Sequence, residues 1–406
     1  MLPNPEERKI LRQAAAKKRA EETKKQRKMA LLIGGGVLAL ALLIALTAGI
    51  VSFVRKRASE KAKQKPNETT IHLVAGGDLD VTDNVISSGG PDYNYTEAFK
   101  DVAAILADGD LTMLNYEGVF CSEPYGGEGA SAPDTLAKAL HSAGVDALQL
   151  ANSYSIHQGV SGLHSTIDSV RKAGLTPLGV YDNSEDKGYV IYNVQGIRVA
   201  VVAFTKGMEG SRIPDVSAGC VNLLYTDYDS GYQEVDTKGI TKVLDAIEEE
   251  KPDITIAMLH WGSTNNDKIS HTQNQIVSLM QEHGVDAIIG SHSHRVQEMK
   301  LDENGKFVAY SLGDFFGDGQ DAGTEYSVLL DLEIVKNHDT GETRIKGYSF
   351  TPIFTVSEEG KPLRVVRIRE AMTAYENGYI DRVTKQTYDA MAYALTRIES
   401  RTSGNG

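Results

Sequence analysis

Short, largely apolar runs that each lead into polar residues recur along this chain, with amphipathic stretches between them. The run 285–289 is the clearest, because it leads into Gly290-Ser291-His292-Ser293-His294. A buried strand ending in glycine delivers the residues that follow to a sheet edge. Two histidines one residue apart at such an edge present their rings to similar sides. The run 254–259 ends in the same way, in His260-Trp261-Gly262. Further strands are expected at 71–75, 111–116 and 145–150, and helices at 133–143, 161–173, 233–250 and 272–283. In the second of those helices Leu163, Ile167 and Val170 share one side, the period of an amphipathic helix. This alternation predicts an α/β fold with helices on both faces of the sheet. Hairpins at 189–194/197–204, 297–301/307–312 and 325–335/343–350 add antiparallel strands, so the sheet is expected to be mixed. A last helix is expected over 383–401, followed by a polar, glycine-rich tail.

The polar groups at the strand ends form a set. The first strand runs into Gly76-Gly77-Asp78-Leu79-Asp80, and the second into Asn115-Tyr116-Glu117-Gly118. The third gives Asn152, after Leu150-Ala151. With His260, His292 and His294 these offer carboxylates, an amide and imidazoles at the end of a sheet where α/β folds place their sites. Mixed N and O ligands suit Mn, Fe or Zn better than Mg or Ca. A carboxylate between two such ions could bridge them, and a water made acidic there can attack phosphorus or a carbonyl carbon. Taken singly, each residue has a plainer role: a histidine can cap a strand, and asparagine tolerates the left-handed turn conformation. Their common placement favours the joint reading, a site for one or two divalent transition-metal ions.

Charge divides the chain. Of its 406 residues, the first 70 hold 16 of the 42 Lys and Arg but 6 of the 55 Asp and Glu, which leaves residues 71–406 with a net charge of -23. A body that acidic offers no positive face for phosphate backbones, so nucleic acid is excluded as a partner. Residues 29–54 carry no charge, and as a helix they would reach roughly 39 Å, enough to cross a hydrocarbon core of about 30 Å with tilt. A cleaved signal peptide has a shorter apolar region and a shorter lead-in than this. The expected organisation is a basic tail (1–28), a transmembrane helix (29–54), a polar linker (55–70) and a folded body (71–406). The tail segment 7–28 reads as a solvated helix or as a disordered charged tail. Ten Lys and Arg precede the span and six follow it, which predicts a cytoplasmic N-terminus and an extracytoplasmic body. Cys121 and Cys220 allow one disulfide or two buried thiols.

These residues carry a resemblance. Gly77-Asp78, Asn115-Tyr116-Glu117-Gly118, Ala151-Asn152, Gly162-Leu163 with Thr166, His260-Trp261-Gly262, Gly290-Ser291-His292-Ser293-His294 and Tyr310-Ser311-Leu312-Gly313-Asp314-Phe315 span roughly 71–316. In that combination the chain resembles the CapA group, membrane-linked proteins of poly-γ-glutamate capsule synthesis with a calcineurin-like metallophosphatase fold. The resemblance implies metal ligation by Asp78, Glu117, Asn152, His260, His292 and His294, with Asp80 in place of a histidine ligand. It implies a role in making or exporting an anionic polymer, with other capsule-synthesis membrane proteins as partners. Two positions depart from the group. Its Asn-Asn-His, with Asp three residues on, is here Asn152-Ser153-Tyr154 with His157, and its Gly-Asn-Phe is Gly313-Asp314-Phe315. The missing histidine would protonate a leaving group in related phosphoesterases. Tyr154, with an ordinary pKa near 10, is a poorer acid at neutral pH, and His157 is the other candidate for that proton. A metal-dependent phosphoesterase and a metal-bound scaffold without chemistry are the alternatives.

Overall fold

A computed structural model of the chain describes positions 17, 21, 24, 25, 27–29, 67–182, 186–379 and 383–402. The chain divides into two units, Met1–Asn67 and Glu68–Gly406. In the first, the described positions between 17 and 29 are helical and exposed. The expected span 29–54 lies, apart from Met29, outside the described residues. Among the described residues no helix is long and apolar enough to cross a membrane.

The second unit is built on two mixed sheets. In the first, β1 (Glu68–Asp80) lies centrally, parallel to β2 (Leu111–Glu117), which is followed by β5 (Ala147–Gln149) and β6 (Thr176–Leu178). A small separate pair, β3 (Val119–Phe120) and β4 (Ser131–Ala132), branches off after β2. The second sheet is formed by β7 (Tyr189–Val194), β8 (Ile197–Thr205), β9 (Ile254–His260), β10 (Ala287–Ser291), β11 (Met299–Leu301) and β12 (Phe307–Ala309), in the order β11-β12-β10-β9-β8-β7. The chain then returns to the first sheet. There β13 (Asp314–Phe316) pairs with β1 in parallel, while β14 (Tyr326–Asn337), β15 (Thr343–Val356) and β16 (Arg364–Arg367) complete its antiparallel flank.

Strand periodicity explains how the sheets stack. In the second sheet Val199, Val201, Ala203, Ile254, Ile256 and Met258 belong to the core shared with the first sheet. Their alternates Ala200, Val202, Phe204, Ala257 and Leu259 pack instead with helices Thr237–Glu249 and His271–Glu282. A sheet buried on both faces needs near-continuous apolar strands, as the sequence shows here. Helices Asp134–Ser142 and Gly159–Lys172 give Leu136, Leu140, Leu163, Ile167 and Val170 to the core of the first sheet.

The structure moves several expected boundaries. β1 begins at Glu68, inside the expected linker, because Thr69 and Thr70 pair with Lys336 and Val335 of β14. The helix expected at 233–250 begins at Thr237. Gln233 and Glu234 instead give their backbone N–H groups to the Asp227 carboxylate, and Asp236 caps the helix by accepting from Gly239 N–H. The final helix, Lys385–Thr402, extends one residue further than expected, and the Thr402 hydroxyl donates to the Ile398 carbonyl. Cys121 and Cys220 are both free thiols, and Cys220 is buried.

Candidate metal centre

Register brings the strand-end groups together. Asp78 lies beside Asn115 of β2 on one side and beside Asp314 of β13 on the other, and Asp80 lies beside Glu117. Residues paired across parallel strands project to the same face of the sheet. In the second sheet Thr205, His260 and Ser291 form the corresponding row across β8, β9 and β10. Both rows stand at or near the C-terminal ends of their strands, except that Asp314 opens β13.

Two glycines allow this convergence. A Cβ on Gly77 would lie 1.7 Å from the Gly313 carbonyl oxygen, so only glycine lets β13 approach β1 and present Asp314. A Cβ on Gly290 would lie 2.0 Å from the Tyr310 carbonyl oxygen and 2.5 Å from Trp261 Nε1. That indole is fully buried and donates to the same carbonyl at 2.9 Å. Beyond Gly290 the backbone turns sharply. His292 and His294 take φ of 84° and 57°, the left-handed region that costs a non-glycine residue about 1–3 kcal/mol. Part of what holds His292 in place is its N–H, which donates to Asp78 Oδ2 at 3.0 Å.

A buried hydrogen-bond network fixes the carboxylates. Asn115 Nδ2 donates to Asp78 Oδ1 (2.7 Å) and Glu117 Oε1 (2.9 Å). Asn152 Nδ2 donates to Asn115 Oδ1 (3.1 Å) and to the Tyr116 carbonyl (2.6 Å). His260 receives the Ser153 N–H on Nε2 at 3.2 Å, so that nitrogen is the unprotonated one. Its Nδ1–H therefore faces Glu117 Oε1 at 3.3 Å. His294 turns Nδ1 to Asp314 (2.8 Å), Asp80 (3.4 Å) and Asp78 (3.7 Å).

The electrostatics of this cluster fit a cation. Burial raises the pKa of Asp78, Glu117 and Asp314, and neighbouring carboxylates push Glu117 and Asp314 higher still. Asp80 is pushed up to about 6, again by burial first. Burial disfavours charge on His294 too, yet Asp80, Asp314 and Glu117 outweigh it and raise its pKa. Burial lowers His260, and it lowers His292 to about 3, so both rings are neutral. Like charges crowded out of water resist ionisation, and a divalent ion relieves that repulsion. Asp78, Glu117 and His294 hold ligand atoms within 4.8 Å of one another, as do Asp80, His294 and Asp314. His292 Nδ1 is buried without a hydrogen-bond partner. The donor set thus suits a divalent transition metal.

Tyr154 stands at the edge of the cluster, its N–H on Asn152 Oδ1 and its ring 5.1 Å from that of His157. Burial first, then the charges of Glu117 and Asp80, push its hydroxyl up to about 12. His157 is exposed, with Nε2 2.5 Å from the Glu128 carbonyl. Asp314, Asn115, Ser153 and Lys206 join the site although sequence reasoning did not select them as site residues. Asp314 was marked only as a departure from a motif. Lys206 follows the apolar run 199–204 and Thr205, and the strand-end rule that found His260 could have found it.

Residues 72–319 match the family described as bacterial capsule synthesis protein PGA_cap. The chain belongs to the CapA family. It is 27% identical over 313 residues to the capsule biosynthesis protein CapA of Bacillus anthracis, covering 74% of this chain and 72% of that one. The PGA biosynthesis protein CapA of Bacillus subtilis (strain 168) is 26% identical over 235 residues, 57% of this chain and 58% of the relative. The family match contains every residue of the cluster and closes just after β13, the strand that carries Asp314. Among solved structures, a phosphatase from Mycoplasma pneumoniae has a TM-score of 0.43 at 14% identity, over 70% of this chain and 94% of that one. A calcineurin-like phosphoesterase from Bacillus subtilis has a TM-score of 0.41 at 14% identity, over 81% and 99%. Likeness of that degree decides nothing about the reaction.

Proposed function

We propose that this chain acts in the synthesis or export of poly-γ-glutamate or a similar anionic capsule polymer, and that its strand-end cluster is a divalent-metal hydrolytic centre. Residues 29–54 anchor it with the body outside the membrane, where other capsule-synthesis membrane proteins are its partners. The convergence of Asp78, Asp80, Glu117 and Asp314 on His294 carries the metal reading. An ion of Mn, Fe or Zn there would supply Lewis acidity to a phosphoryl or acyl centre. The chain's own groups supply the positioning. Asn115 holds two carboxylates at once, Asn152 orients Asn115, and His260 steadies Glu117. A polyanion approaches a body of net charge -23 only where positive charge is concentrated, and the metal and Lys206 would provide it.

One observation favours a second reading, a metal-bound scaffold that binds polymer without cleaving anything. Tyr154, with its hydroxyl pushed up to about 12, is a poor proton donor at neutral pH. Cells carrying Glu117→Gln, with the protein present at normal level, should lose surface polymer, and protease added outside intact cells should digest the body. Unchanged polymer would sink the role of the centre, and a body protected until lysis would invert the topology.

A further inference from the structure

Positive charge gathers at one place beside the centre. Arg295 directly follows His294, so the two Cα atoms are one peptide unit, about 3.8 Å, apart. Helix Lys385–Thr402 brings Arg397 and Arg401 to the same place. All three guanidiniums share one carboxylate, Asp267, which lies 2.6 Å from Arg401, 3.8 Å from Arg397 and 4.0 Å from Arg295. They form no other ion pair among the described residues. Asp267 belongs to the segment that follows His260, and its neighbours hold that segment against the centre. Asn265 N–H donates to the Ser293 carbonyl at 3.0 Å, and Thr264 Oγ1 lies 3.5 Å from His292 Nε2. Two further acids close by are engaged elsewhere: Asp321 accepts from the Asn265 amide at 2.8 Å, and Glu325 accepts from Gly323 N–H.

The three arginines are not equivalent. Arg401 is well bonded, with Nη2 on Asp267 and Nη1 on the Val296 carbonyl at 3.1 Å. Arg397 is partly exposed. Arg295 keeps only 23% of its side chain exposed, and its Nε is buried without a hydrogen-bond partner. Its distance of 4.0 Å to Asp267 is beyond hydrogen-bond reach. A mostly buried cation with five N–H donors is costly unless something accepts from them.

We propose that Arg295 and Arg397 form a carboxylate-binding subsite beside the centre, which takes one carboxylate of a polycarboxylate chain while another part of that chain lies at the metal. The proposal rests on the polymer reading above. The planar fork of a guanidinium matches the two oxygens of a carboxylate, and Arg295 has that fork unused. Arg397 offers a second fork, and Arg401 with Asp267 forms the fixed base under both. A chain with a carboxylate on every unit always has one to place there, so the subsite reads the repeat rather than the bond at the metal. In a body of net charge -23, a local excess of positive charge also steers such a chain to this edge.

The full-length chain, purified in detergent and loaded with Mn, is titrated by calorimetry with a short γ-linked glutamate oligomer. Tricarballylate, a tricarboxylate that is not a polymer, is titrated separately. The wild type should bind both, more weakly as salt is raised. Arg295→Gln should weaken both roughly tenfold to a hundredfold, the loss of charge-assisted hydrogen bonds. Its bound Mn and its melting temperature should be unchanged, because Arg295 Nε has no hydrogen bond to lose. Arg295→Lys keeps the charge without the fork and should fall between. Should Arg295→Gln fail to fold, Arg397→Gln removes the partly exposed half of the subsite and should weaken both ligands in the same direction. Unchanged affinity in the folded variants, or tricarballylate bound by neither wild type nor variant, overturns the subsite. So does loss of Mn in step with affinity, since Arg295 would then act only through His294. Tricarballylate held through Arg295, with no binding of the oligomer by the wild type, leaves the subsite standing and overturns the polymer reading instead.

Discussion

Gly77→Ala tests whether the approach of β13 to β1 builds the centre. The new methyl would sit 1.7 Å from the Gly313 oxygen and 2.9 Å from its carbon, both backbone atoms that no rotamer change can move. The Gly313 oxygen would have to retreat by about 1.5 Å to reach ordinary contact. The Asp78 N–H bond to it, 2.9 Å long, would then exceed any hydrogen-bond distance. Losing that bond costs about 1 kcal/mol, and over-packing adds about 1–3 kcal/mol, so the change destabilises by about 2–4 kcal/mol. A domain with about 5–15 kcal/mol of stability stays folded. The functional effect should be larger, because the retreat carries Asp314 away from His294, and loss of such support typically costs about 10–100-fold in metal affinity. Gly347→Ala in β15 is the control, since a Cβ there meets nothing within 4 Å. Urea unfolding followed by fluorescence, with metal titration beside it, reads both effects. Equal stability of the two variants, or wild-type metal affinity in a folded Gly77→Ala protein, would refute the reasoning.

Metal retention should also depend on pH with a definite sign. Asp80 must be ionised to hold an ion, and its carboxyl is raised to about 6, so affinity should fall as pH drops through about 6, by up to about tenfold per unit. Asp80→Asn should bind more weakly at neutral pH and lose that step, whereas a flat profile between about pH 7.5 and 5 in the wild type contradicts the ligand assignment. If the centre hydrolyses, Tyr154→His should raise turnover of alkyl phosphodiesters more than of aryl ones, by up to the roughly 10²–10⁴-fold that a general acid supplies. Aryl groups leave without needing a proton. His157→Ala should change neither class, because its Nε2 is committed to the Glu128 carbonyl. If neither substitution alters either substrate while metal stays bound, the hydrolase reading fails and the binding role stands.

Where a run of apolar residues is long enough to be buried on both faces, its sequence announces a strand, and β2, β8, β9 and β10 were legible for that reason. Pairing partners were not. Thr69 and Thr70 look like linker until β14 offers them a ladder, and β16 has four residues, two of them arginine, too few to show a period. Helix Ile368–Glu376 was missed with it, although Ile368, Ala371, Met372 and Tyr375 recur at helical spacing and pack on the core, because the segment is short and only Ile368 is fully buried.

The site divides along the same physical line. Asp78, Glu117, His260, His292 and His294 could be found because each lies at or just beyond the end of a strand, the last two after the same one, and a strand end is a local property. What each one does there is not local. Whether His260 has a nitrogen free depends on the Ser153 amide, 107 residues away, and the surroundings of His294 depend on Asp314 arriving beside Asp78 across the backbone gap left by Gly77. The departure at 314 read as a flaw in a motif, yet its carboxylate is the nearest partner of the His294 ring, at 2.8 Å. An asparagine there could not carry the negative charge that helps raise His294, and the carboxylates would then balance an ion with one fewer anion. The substitution that looked like decay is therefore better understood as a change in the charge of the site, one that adds to the negative charge of Asp80 rather than offsetting it.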